Sequence, residues 1–80
     1  MADILIVSLA KRNETAVKTQ ELLTDFGCII KTRLGLHESG AACADRGIII
    51  LELAPDAEKI YELTKKLETV EGVKTKFVSI

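Results

Sequence analysis

Ile48-Ile49-Ile50-Leu51-Glu52-Leu53 decides how this chain folds, together with its counterpart near the start, Ile4-Leu5-Ile6-Val7-Ser8-Leu9. Both runs are short, apolar and largely β-branched, which marks them as strands. Successive side chains of a strand point to opposite faces of its sheet, so each run offers apolar groups upward and downward. The helices available in so short a chain cover one face. The sequence therefore predicts that a second copy of the same protein covers the other.

Between the first strand and the first helix lies Ala10-Lys11-Arg12-Asn13. Asn13 is the expected N-cap, and Glu14 suits the positive end of the helix dipole. From Glu14 to Phe26, Ala16, Thr19, Leu22, Leu23 and Phe26 share one side, with Glu14, Lys18, Glu21 and Asp25 opposite. Gly27 stands where a helix commonly ends. Cys28 to His37 reads as a second strand of one-sided, edge character, and Glu38 to Arg46 as a long connection leading to Gly47 and the third strand. Pro55 and Asp56 announce a second helix with Ala57, Ile60, Leu63, Thr64 and Leu67 inward. Val70-Glu71-Gly72 closes it, and Val73 to Ile80 forms a last strand, again with an edge pattern.

That order predicts an α+β fold: a ferredoxin-like βαββαβ sandwich in one domain spanning residues 1–80, with a four-stranded antiparallel sheet and two helices on one face. The strand order 4-1-3-2 usual for that topology puts the two doubly apolar strands in the centre. Leu5, Val7, Leu9, Ile49, Leu51 and Leu53 are assigned to the helix side. Ile4, Ile6, Ile48 and Ile50 then occupy the helix-free side as the predicted oligomer interface, with Lys31, Arg33, Lys74 and Lys76 flanking them. Burying one isoleucine fully is worth about 1.5–3 kcal/mol, so such a patch points to a homodimer or homotetramer.

A chain of 80 residues buries only about 60–65% of the surface it exposes when unfolded, and association adds to that. Hydrophobic residues make up 48% of the chain, yet it holds only two Phe and one Tyr, so the core is aliphatic. Eleven basic and twelve acidic residues leave a net charge of −1, without the footprint of a general nucleic-acid or membrane binder. RNA-binding sheets of this topology stack bases on exposed aromatics, and here those positions hold isoleucines. Two cysteines do not make a disulfide scaffold: Cys28 reads as a small buried hydrophobe and Cys43 as a loop residue. With no signal-peptide pattern and no long apolar span, a cytoplasmic location is expected.

The most distinctive local string is Arg33-Leu34-Gly35-Leu36-His37. Gly35 lets a backbone or ligand approach the sheet closely, and Arg33 suits a carboxylate or phosphate. Lys11, Arg12 and Asn13 sit where helix amides attract anions, though without a glycine-rich loop. These five residues are the candidate ligand-binding set. His37 and Cys43 combine an imidazole and a thiolate, which suit a transition metal, but one chain lacks four close ligands. Neither a nucleophile–base–acid set nor a phosphate loop is present, so no enzymatic activity is expected.

The strings Arg33-Leu34-Gly35-Leu36, Gly47-Ile48-Ile49-Ile50-Leu51 and Val70-Glu71-Gly72-Val73-Lys74, with Leu67, resemble a family of small stand-alone ACT-like proteins labelled iron-only hydrogenase system regulators. That family is similar in shape to the C-terminal domain of the nickel-responsive regulator. The resemblance implies a βαββαβ fold and an oligomeric regulatory protein; with Arg33, Gly35 and the 38–46 loop, the leading expectation is a module that binds a small anionic effector at a subunit interface and acts through a partner protein. It departs from the family at His37, where a proline is common. It departs from amino-acid-binding ACT domains at Lys11-Arg12-Asn13-Glu14, where an Asp and a Gly are typical. A metal sensor using His37 and Cys43, or a purely structural oligomerisation module, are the alternative expectations.

Overall fold

The computed structural model describes residues 2–10, 12–37 and 46–80, and of residues 12, 13 and 37 the backbone alone. In chain order the elements are β1 (Asp3–Leu9), α1 (Arg12–Asp25), a short 3-10 turn (Gly27–Ile29), β2 (Ile30–His37), β3 (Gly47–Leu53), α2 (Ala57–Glu68) and β4 (Val73–Ser79). The strands form one antiparallel sheet ordered β2-β3-β1-β4. This is the ferredoxin-like βαββαβ arrangement that the two doubly apolar runs demanded, with those runs side by side in the centre.

Alternation along β1 and β3 sets the core. Leu5, Val7, Leu9, Ile49, Leu51 and Leu53 are all buried. They meet Leu23 from α1 and Phe26 just after it, and Ile60, Leu63 and Leu67 from α2. In α2 the inward residues recur at helical spacing, and both helix ends are well provided. Asp56 caps the N-terminus by accepting from the backbone N–H of Lys59 at 3.0 Å. Glu58 occupies the first turn, and Lys65 and Lys66 the last, as the helix dipole favours. Ala57, expected to face inward, is exposed: it is the first residue of α2 and lines an open hollow between that helix and the sheet.

Three local readings of the sequence need correction. The first helix begins at Arg12, so Asn13 lies inside its first turn and is not the cap. Thr15 joins the buried side of α1, where its hydroxyl donates to the Ala10 carbonyl at 3.3 Å. The chain from Gly27 to Ile29 turns as a 3-10 helix before β2 begins, which leaves Cys28 exposed while Ile29 is buried. The thiol is thus a surface group and not part of the core.

The junction between α2 and β4 is fixed by Gly72, the residue with φ of +90°. Its carbonyl accepts from the Ala10 N–H at 2.8 Å. A Cβ built on it would come within 3.0 Å of the Ala10 carbonyl oxygen. Both the dihedral and the close approach require glycine here.

Candidate functional site

The face of the sheet without helices follows from the register. Ile4, Ile6 and Ser8 of β1 oppose Glu52, Ile50 and Ile48 of β3. On the outer side of β3, Thr32, Leu34 and Leu36 of β2 oppose the same three residues. On the outer side of β1, Ile4, Ile6 and Ser8 meet Val78, Lys76 and Lys74 of β4. Directly opposed residues share a face. The helix-free face therefore carries Ile4, Ile6, Ile48 and Ile50, as expected, and none of the four is buried. The apolar surface is wider than the sequence indicated, because Leu34 and Leu36 extend it across β2 with 52% and 46% of their surface exposed. Ile80 pairs with Ala2 through its backbone and leaves its own side chain in the open, so it does not cover the patch.

Lys74 and Lys76 border this face on the β4 side, but Arg33 does not border it on the other. Arg33 opposes Leu51, a buried helix-side residue, and so projects to the helix side. The cause is a bulge: Ile30 opposes Leu53 and Thr32 opposes Glu52, so Lys31 is an extra residue in β2 and the alternation resets after it.

On the helix side of β2 the sheet outruns its cover, and every residue from Lys31 to Leu36 is exposed. A groove of about 230 Å³ lies there between α1 and the sheet. Ala16 and Gln20 of α1 form its wall, with Gly35, Gly47 and Ile49 below. A Cβ on Gly35 would meet none of the described residues within 4 Å, so none of them makes the close approach expected at this glycine. Arg33 does not line the groove, but its guanidinium donates to the side-chain oxygen of Gln20, which does. The structure thus brings Gly35 to the groove and Arg33 to its rim.

The other candidates fall elsewhere. Arg12 and Asn13 belong to the first turn of α1, one turn before Ala16, with only their backbones described; Lys11 lies outside the described residues. His37 closes β2 opposite Gly47, its side chain undescribed, and Cys43 also lies outside the described residues, as does the connection from residue 38 to 45. Among the described residues no three His, Cys, Asp or Glu side chains gather as a metal site.

A second hollow, of about 470 Å³, was not legible in the sequence. It lies between α2 and the outer edge of the sheet, lined by Pro55, Ile60, Tyr61, Thr64, Phe77 and Asp3. It gathers two of the chain's three aromatic rings. No described helix is long and apolar enough to cross a membrane.

No protein-family model matches the chain, and no curated protein matches it. Among solved structures, the chain is similar to the uncharacterized protein TM1266 of Thermotoga maritima, with a TM-score of 0.82 and 30% identity over 96% of this chain and 92% of that one. It shares its fold with the ACT domain of the GTP pyrophosphokinase of Chlorobium tepidum, at a TM-score of 0.70 and 22% identity over 96% and 95% of the two chains. The same holds for CPII, a nitrogen regulatory PII-like protein of Thiomonas intermedia K12, at 0.66 and 15% over 99% and 88%. The fold is thus that of ACT and PII-like domains, and at 30% identity over nearly the whole of both chains this chain belongs to one family with the Thermotoga maritima protein.

Proposed function

We propose that this chain is a small self-associating regulatory module that senses a small anionic ligand in the groove beside Gly35. The observation that carries the reading is the state of β2. One of its faces is a strip of exposed leucines continuous with the apolar helix-free face, and its other face is an open groove with an arginine at the rim. Association across the first face and ligand capture on the second meet in one edge strand. Whatever orders β2 in one setting affects the other, which is the physical basis of a coupled sensor.

The likeness in fold to an ACT domain and to a PII-like protein supports a sensing role, and CPII has been solved bound to ADP, AMP and bicarbonate. Groove size selects among such ligands. At about 230 Å³ it falls below the roughly 300–1,000 Å³ of sites that enclose drug-sized molecules. A carboxylate, an amino acid or bicarbonate fits this volume better than a nucleotide. Among the described residues, Arg33 at the rim brings a guanidinium suited to bidentate capture once it leaves Gln20. The role is one of binding and not catalysis. Control of an iron-only hydrogenase system through a partner protein is the finer form of the proposal, and it rests on the resemblance in residues 33–36 and 47–51.

The test is a thermal-shift series with bicarbonate, amino acids, AMP and ADP on the full chain and on Arg33→Ala. Small anions are expected to raise the melting temperature of the parent and leave Arg33→Ala unmoved. Stabilisation by AMP or ADP alone, or an equal response of the variant, contradicts the assignment of the site.

A further inference from the structure

At the opposite edge of the sheet, no strand among the described residues pairs with the outer side of β4. Ala2 and Ile80 exchange both backbone hydrogen bonds, at 2.7 and 2.8 Å, and Ala10 donates to Gly72 at 2.8 Å. These anchor points have the same parity. In an antiparallel ladder, hydrogen-bonded pairs alternate with non-bonded ones. The even residues of β4 therefore bond inward to β1, while Thr75, Phe77 and Ser79 turn their N–H and C=O groups outward. The side chains of those three residues lie on the helix side, opposite Val7, Leu5 and Asp3. The hollow of about 470 Å³ lies beside them, walled by Tyr61 and Phe77, which are 63% and 45% exposed.

We propose that β4 is the docking edge for an extended segment of a partner protein that adds as a fifth strand. Its acidic side chains alternate with apolar ones. Backbone groups of Thr75, Phe77 and Ser79 supply the ladder, and alternate side chains supply the specificity. The partner's apolar residues share the helix side and enter the hollow between Phe77 and Tyr61. Its acidic residues fall on the other face, beside Lys74 and Lys76. Those two lysines are exposed, and their cross-strand neighbours on β1, Ser8 and Ile6, carry no charge. On the helix side, the Lys65 ammonium lies 5.4 Å from the centre of the Tyr61 ring, which walls the hollow, and does not belong to the lysine face. Asp3, the carboxylate of the hollow, is engaged by the Ser79 hydroxyl at 2.8 Å. A second copy of this chain is the poorer occupant: antiparallel self-pairing at β4 lines one face of the seam with both lysines of each copy, and like charges across a strand pair destabilise it. This edge lies across the sheet from the groove at Gly35, so its failure leaves the ligand-sensing reading standing.

The probe is a set of fluorescein-labelled eight-residue peptides that alternate Glu with Val, Leu, Phe or Tyr, followed by anisotropy on the full chain. Binding is expected for at least one acidic peptide and for none in which every Glu is replaced by Lys. The double variant Lys74→Glu, Lys76→Glu is expected to weaken binding by about tenfold or more. Tyr61→Ala weakens it several-fold, and N-methylation of alternate peptide amides abolishes it because the ladder is lost. Tyr61, Lys74 and Lys76 are surface residues, and an unchanged melting curve checks that each variant is folded. The proposal is overturned if no acidic peptide binds, if the N-methylated peptides bind as well, or if the double lysine variant changes the chain's own mass in solution while peptide binding is absent.

Discussion

Arg33 donates to the side-chain oxygen of Gln20, thirteen residues earlier, and so ties an edge strand to the helix beside it. Both side chains are exposed, so the bond adds little to stability, on the order of 1 kcal/mol or less. Arg33→Ala should therefore unfold within a few degrees of the parent in a thermal scan, while losing its response to bicarbonate or amino acids. A large loss of stability in Arg33→Ala would make this arginine a structural tie and not a ligand group.

Gly35→Ala separates fold from function at the groove. The added methyl meets none of the described residues within 4 Å, and glycine within a strand costs roughly 0.5–1 kcal/mol relative to alanine. The variant should unfold at equal or slightly higher urea, yet bind small anions more weakly, because the methyl projects into the groove. Retained anion stabilisation would move the site away from Gly35.

Gly72 behaves oppositely. With φ at +90° and a carbonyl oxygen 3.0 Å from the position of a Cβ, Gly72→Ala should destabilise the chain by more than about 1 kcal/mol. Urea denaturation measures this directly, and a neutral result would mean that the turn after α2 is free to rearrange.

Thr19 is fully buried on α1, and its hydroxyl finds no partner among the described residues. A buried polar group left unpaired costs about 1–3 kcal/mol, and valine has nearly the same shape. Thr19→Val should raise stability by on the order of 1 kcal/mol. A destabilised variant would show that the hydroxyl is bonded in solution.

The sequence made the sheet legible because β1 and β3 are apolar at every position that matters, and alternation alone then sorted Leu5, Val7 and Leu9 from Ile4 and Ile6. The edge strand was harder. One extra residue, Lys31, resets the alternation of β2, and no local signal marks such a bulge when it falls between a half-buried isoleucine and a threonine. For that reason simple alternation puts Arg33 on the wrong face and hides the leucines at 34 and 36 from the exposed apolar set. Cys28 departs from the strand pattern for a related cause: the 3-10 turn leaves it exposed where a continued strand would point it in. The hollow at Tyr61 and Phe77 depends on how far α2 overlaps β4, a distance that no residue pattern encodes.

The central claim is that the helix-free face is buried by a second copy, and sedimentation equilibrium at low micromolar concentration tests it most directly. A dimer or tetramer is expected for the parent, and a monomer for Leu34→Glu, Ile50→Glu, which sets two charges into neighbouring positions of that face. A parent chain that sediments as a monomer, with those residues in water, would contradict it.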